Sequence, residues 1–208
     1  MNDYTRSSLT FLVSQLRDRE LSSANFRVIT GEIAALLAAL SLGAVPNREV
    51  PIQTPQSSAI KYALKHPILL VPIMRAGISL LPAFLNIYKD ADVGFLGIAR
   101  DETTALPKSY YQKLPRISSD HWVMILEPMV ATGGSALLAM KELIEAGAVE
   151  SQIMLVSVIV SREGIDKVKS IHPNAHYVSA AIDPDIKDFM ITPGLGDFGD
   201  RYFCSLAH

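Results

Sequence analysis

The chain has 208 residues, 49% hydrophobic and 19% charged, a balance that excludes disorder and suits one large globular domain, residues 1–208. Nineteen Lys and Arg against twenty-one Asp and Glu leave a formal charge of −2, so no basic face is expected for nucleic acid or an anionic membrane, and any phosphate must be bound locally. The longest apolar run, residues 33–45, falls short of the roughly 20 residues that a bilayer span requires. Asp3, Arg6 and Arg17 interrupt the apolar stretch a secretory signal would need, and the single Cys204 cannot close an internal disulfide. A cytoplasmic protein with no membrane segment is the expectation.

Leu9, Leu12, Val13 and Leu16 follow the spacing of an amphipathic helix that ends in the charged residues 17–20. After Ser22, a candidate N-cap, Phe26, Ile29, Ile33, Leu36, Leu37 and Leu40 predict the longest helix, stopped by Gly43 and Pro46. Strands are then expected at 49–53, 68–73, 93–99, 122–126, 153–160 and 176–182, alternating with helices at 76–88, 133–146 and 164–171. Runs such as ILLVPI and VMIL are apolar on both faces, the pattern of a parallel sheet covered by helices on each side. The fold class is therefore α/β. Residues 100–116, polar with two tyrosines and two prolines, read as a protruding hairpin or loop, and the last fifteen residues as irregular.

The stretch VMILEPMVATGGS, residues 123–135, carries a buried strand into an acidic residue, a loop of small residues and a helix. Ligands of parallel sheets bind at the carboxyl ends of strands, and amides at a helix N-terminus favour an anion. Thr132 and Ser135 supply hydroxyls, Gly133 and Gly134 allow close backbone approach, and Glu127 suits hydroxyl groups such as a ribose diol. No GxxxxGK[ST] occurs, which argues against a P-loop nucleotidase. A literal GxGxxG at 194–199 lacks the βαβ unit that a dinucleotide site needs. The histidines give one i, i+4 pair, His172 and His176, broken by Pro173, so a zinc site is not expected. No GxSxG elbow supports a hydrolase triad.

The sequence EPMVATGGS at 127–135 resembles the phosphoribosyl pyrophosphate (PRPP) loop of uracil phosphoribosyltransferases. VPIMRAG at 71–77 is similar to that family's pyrophosphate loop, RDETTALPKSYYQKLP at 100–115 to its flexible arm, and PGLGDFGDR at 193–201 to its uracil-binding tail. The resemblance implies a type I phosphoribosyltransferase fold, a mainly parallel sheet flanked by helices with a small hood and a hairpin arm. It implies conversion of uracil and PRPP to UMP and pyrophosphate in pyrimidine salvage. Arg75, Arg100 and Asp197 are then the catalytic candidates. PRPP would be bound by Arg75, Arg100, Glu127, Pro128, Met129, Val130, Ala131, Thr132, Gly133, Gly134, Ser135 and Asp197, and uracil by Ile191, Gly196, Asp197 and Phe198. Mg²⁺ is expected to be held mainly by PRPP and water, with no direct protein ligand, and a homo-oligomer, dimer or tetramer, is implied. GTP regulates part of the family, and no residue here reports on it.

The chain departs from the family pattern in three places. Glu127 stands where Asp is usual, Asp185 to Asp188 replace Gly-Leu-Asn-Glu with Met190 in place of a Tyr, and Phe198 replaces a small Ala. The Phe198 ring can narrow the pocket, stack on the base, or turn away and fill space. A sensor of PRPP or UMP without catalysis, and a transferase for another base, are the alternative readings.

Overall fold

The computed structural model describes residues 3–100 and 106–204. Helix α1 (Asp3–Leu16) and helix α2 (Ser23–Ser41) open the chain. The Ser22 side chain accepts from the Asn25 amide at 3.3 Å, as its N-cap reading requires. Strands β1 (Asn47–Gln53) and β2 (Ser58–Leu64) form a separate antiparallel hairpin, of which the sequence showed only the first strand. Next come β3 (Ile68–Met74), a short 3₁₀ turn, α3 (Leu81–Ile87), and β4 (Asp92–Val93) with β5 (Phe95–Arg100). The predicted helix at 76–88 thus divides in two.

Strand β6 (Pro107–Lys113) pairs antiparallel with β5. Half of the predicted arm is therefore an edge strand of the central sheet, with Tyr110 and Tyr111 exposed; residues 101–105 lie outside the described residues. Strand β7 (Trp122–Leu126), β8 (Met129–Val130), α4 (Gly134–Glu145), β9 (Ile153–Ser161), α5 (Arg162–Ile171) and β10 (His176–Asp183) complete the alternating core. A small hairpin, β11 (Asp185–Lys187) and β12 (Met190–Thr192), and a terminal helix, α6 (Phe198–Phe203), close the chain.

The central sheet runs β10-β9-β7-β3-β5-β6, and every pair is parallel except β5 with β6. Alternate residues of its inner strands feed two cores. Leu70, Met124, Leu126, Met154 and Val156 join the layer of α1, α2 and α3, while Leu69, Val71, Val123, Ile125, Ile153 and Leu155 join that of α4 and α5. This two-sided burial is why those strands carry no polar face. By length and composition α2 could cross a membrane; here Phe26, Ile33, Ala34 and Leu37 bury its apolar side in the first core.

Two arginines tie the start of the chain to its end. Arg17 donates to both carboxylate oxygens of Asp183 at 2.7 Å and to the Gly194 carbonyl at 2.8 Å, and the Gly194 amide returns a bond to Asp183 at 2.8 Å. Arg201 donates to the carbonyls of Leu16, Asp18 and Leu195, and its guanidinium lies 4.6 Å from the centre of the Phe26 ring. The glycine-rich tail is thereby held against the α1–α2 turn. Burial opposes ionisation of Asp183, but the Arg17 fork and the Gly194 amide together outweigh it and hold the carboxyl below its ordinary value. A depressed carboxyl contributes stability above its unfolded value near 3.9, and that contribution is lost as the pH falls through the folded value. Asp183→Asn should therefore lower stability by about 2 kcal/mol at pH 7, less than for a fully buried pair because Arg17 is partly exposed. It should also flatten the acid limb of a Tm-against-pH curve recorded by calorimetry.

Candidate active site

Two backbone loops converge at the carboxyl edge of the sheet, around the end of β7. Beyond Leu126 the Glu127 amide bonds the Val156 carbonyl at 3.0 Å, and the Pro128 carbonyl accepts from Val158 and Ile159, each at 3.0 Å. The chain is thus held on β9 through β8 before it turns at Ala131. Gly133, at φ 78, turns it into α4, whose first amides have no partner within the helix. A side chain there would meet Val168 and the Gly164 carbonyl under 3.0 Å away, so glycine is required on both conformational and steric grounds.

The loop is buttressed from below. Ser161 caps α5 by accepting from the Gly164 amide at 2.8 Å, while its own hydroxyl donates to the Ala131 carbonyl. A Cβ on Gly164 would fall 1.9 Å from that same carbonyl. The sequence reading missed Ser161 and Gly164 as supports of the loop; a Ser-x-x-Gly cap at the end of an apolar strand was the available signal. Across the edge, a Cβ on Gly77 would fall 2.2 Å from the Leu126 carbonyl. The Arg75-Ala76-Gly77 turn can therefore rest directly on the end of β7.

Two adjoining cavities result. The first, about 390 Å³, is lined by Glu127, the residues 129–136, the hood residues Phe189 and Met190, and Gly196 with Asp197. The second, about 250 Å³, is bordered by Arg75, Ala76 and Ile98 and shares Glu127, Met129, Ser135 and Asp197 with the first. Arg75 is exposed at the rim, 3.5 Å from an Asp200 carboxylate oxygen. One Asp197 oxygen accepts from the Asp200 amide at 2.8 Å, which caps α6. Among the described residues no three His, Cys, Asp or Glu side chains gather into a metal-binding group.

Glu127 is 9% exposed. Burial pushes its carboxyl up to about 8, against a smaller opposing effect of the Met129 amide. The upward shift favours the neutral carboxyl, the form that does not repel a phosphate.

The structure brings Arg75, Glu127, Met129 to Ser135, Gly196 and Asp197 to these cavities. Pro128 is buried and acts through its carbonyl on β9. Ile191 turns its side chain into the core, one residue behind Met190. Phe198 borders the second cavity, yet its ring is 2% exposed and packs edge-on against Phe26 with centroids 5.1 Å apart. Of its three orientations the ring takes the one that turns away and fills space. Arg100 ends β5, and its side chain lies outside the described residues.

A family model described as uracil phosphoribosyltransferase matches residues 4–205. The chain belongs to the uracil phosphoribosyltransferase family. The uracil phosphoribosyltransferase of Mycoplasma genitalium is 38% identical over 192 residues, covering 92% of each chain, and that of Streptococcus uberis is 38% identical over 193 residues, covering 92% of this chain and 91% of the other. A solved protein from Aquifex aeolicus superposes with a TM-score of 0.86 at 30% identity, over 96% of both chains. A hypoxanthine-guanine phosphoribosyltransferase from Bacillus anthracis shares the fold at a TM-score of 0.53 and 13% identity, over 82% of this chain and 83% of that one. The type I phosphoribosyltransferase fold of the sequence reading is the fold observed.

Two outcomes follow from this geometry. Gly164→Ala should displace the Ala131 carbonyl and with it the phosphate loop, lowering Tm and weakening PRPP binding in calorimetry, with a stability loss of about 1–3 kcal/mol. Glu127→Gln tests the buried carboxyl. Because its folded value is raised, the wild type loses stability as pH climbs from about 4.3 toward 8. The Tm of Glu127→Gln minus that of the wild type should therefore grow across this window.

Proposed function

We propose that this protein is a uracil phosphoribosyltransferase that joins uracil to PRPP, giving UMP and pyrophosphate, with the whole chain serving as one transferase domain. The observation that carries the reading is the shared border of the two cavities. A helix N-terminus with Thr132 and Ser135 suits the 5′-phosphate, and Arg75 on the adjoining cavity suits the diphosphate.

Between them the ribose would span Glu127, whose carboxyl is placed to bond the ring hydroxyls. As the bond from C1 to the diphosphate oxygen breaks, negative charge grows on the leaving group, and Arg75 together with Arg100 is assigned its stabilisation. The uracil N1 takes up the vacated bond to C1 and its proton passes to solvent. The Gly196 backbone offers amide and carbonyl groups that match the alternating donors and acceptors of the base. Asp197 keeps one oxygen for the α6 cap, and the other is available to PRPP or a bound water. Mg²⁺, when carried in on the diphosphate, would supply further charge neutralisation there.

A homo-oligomer is part of the proposal. Ile52, Ile60 and Tyr62 stay exposed on the outlying β1–β2 hairpin, a surface suited to contact between copies.

The direct test is UMP formation from labelled uracil, PRPP and Mg²⁺, with PRPP affinity measured in parallel. Turnover is the expected result, and PRPP binding without UMP formation would overturn it. Arg75→Ala and Arg100→Ala should each lower kcat/KM by about 2–4 kcal/mol of transition-state stabilisation, roughly 30- to 1000-fold. Activity within a few-fold of wild type in both variants would remove the arginines from the reaction.

A further inference from the structure

The hood hairpin is joined by a two-residue loop. Lys187 pairs with Met190, leaving Asp188 and Phe189 as the turn, at φ 50 and φ 64. Two successive positive φ values are the pattern of a type I′ turn, which favours Asn or Asp followed by Gly. Asp188 fits that preference. Phe189 does not, because a bulky side chain in the left-handed region is disfavoured and glycine would occupy it without penalty. Its side chain is not repaid by deep burial, since Phe189 remains 57% exposed. It lines the cavity that holds the phosphate loop, beside the half-exposed Met190. An unfavourable backbone conformation kept at a cavity wall is the kind of outlier that accompanies a ligand contact.

The walls of this cavity differ in chemistry. The first amides of α4 and the hydroxyls of its loop suit an anion, whereas Phe189 and Met190 present an apolar, aromatic wall at the hood. A ligand matching both is a phosphorylated sugar bearing a flat heterocycle.

We propose that Phe189 is a specificity residue that stacks on the pyrimidine base in the ribosyl product and in the substrate complex. This role rests on the phosphoribosyltransferase reading. It is carried by Phe189 itself, since the Phe198 ring is committed to the core.

The test compares binding of UMP with binding of ribose 5-phosphate, which lacks the base, by calorimetry on the intact protein. In Phe189→Gly the Kd for UMP should rise about tenfold, the order expected for loss of one aromatic stacking contact. The Kd for ribose 5-phosphate should stay within about twofold of wild type. Tm should be equal or higher, because glycine relieves the left-handed conformation, and Phe189→Tyr should restore UMP affinity. A packing residue would instead lower Tm and weaken both ligands together. Unchanged UMP affinity in Phe189→Gly, a lower Tm, or a wild type that binds UMP no more tightly than ribose 5-phosphate overturns the proposal. Uracil turnover by the wild type is scored separately, so that loss of the parent reading and loss of the stacking role give different results.

Discussion

The structure depends on how closely backbone can pack around the carboxyl end of β7. Leu126 and Ala131 present carbonyls that almost touch the Cα positions of Gly77 and Gly164, and a methyl group at either glycine would overlap the carbonyl. Two different loops therefore converge on one strand end. One brings Arg75 and the other brings the amides of α4, so groups suited to a polyanion are gathered by close main-chain packing. The same packing surrounds Glu127, and the loss of water, rather than any neighbouring charge, is what raises its carboxyl.

The end of the site formed by the hood and tail is built differently. Its loop follows β12 and is held from behind by Arg17, Asp183 and Arg201, which join the α1–α2 turn to the tail across more than 160 residues of sequence. Those charge-assisted bonds replace the strand pairing that braces the phosphate loop. Asp183 also sits at the end of β10, immediately before the hood, so one carboxylate sets both where the hood begins and where the tail loop lies.

The hood carries a conflict between local preference and placement. Its turn has the backbone shape of an Asp-Gly hairpin but holds Asp188 and Phe189. Phe198, two residues beyond Gly196, shows the opposite choice: its ring completes an aromatic cluster with Phe26 and Tyr202. Two phenylalanines beside adjoining cavities thus differ in placement, one ring inside the core and one at the wall.

Much of this was legible in the sequence because the information is local. Strands β3, β7 and β9 announce themselves as apolar on both faces, Ser22 as a cap, and EPMVATGGS as a loop between strand and helix. Family membership follows from four motifs in order. The partner of β1, the edge-strand role of residues 107–113, and the hood hairpin were not legible, since exposed polar strands lack a hydrophobic pattern and are specified by what they pair with. The direction of the Phe198 ring, the raised carboxyl of Glu127 and the buttress of Ser161 and Gly164 were decided only by the tertiary structure. Each depends on which distant atoms surround a residue, Phe26 for one, excluded water for another, the Ala131 carbonyl for the third. Periodicity and motif spacing describe a residue's neighbours along the chain, whereas burial and close approach are properties of neighbours in space.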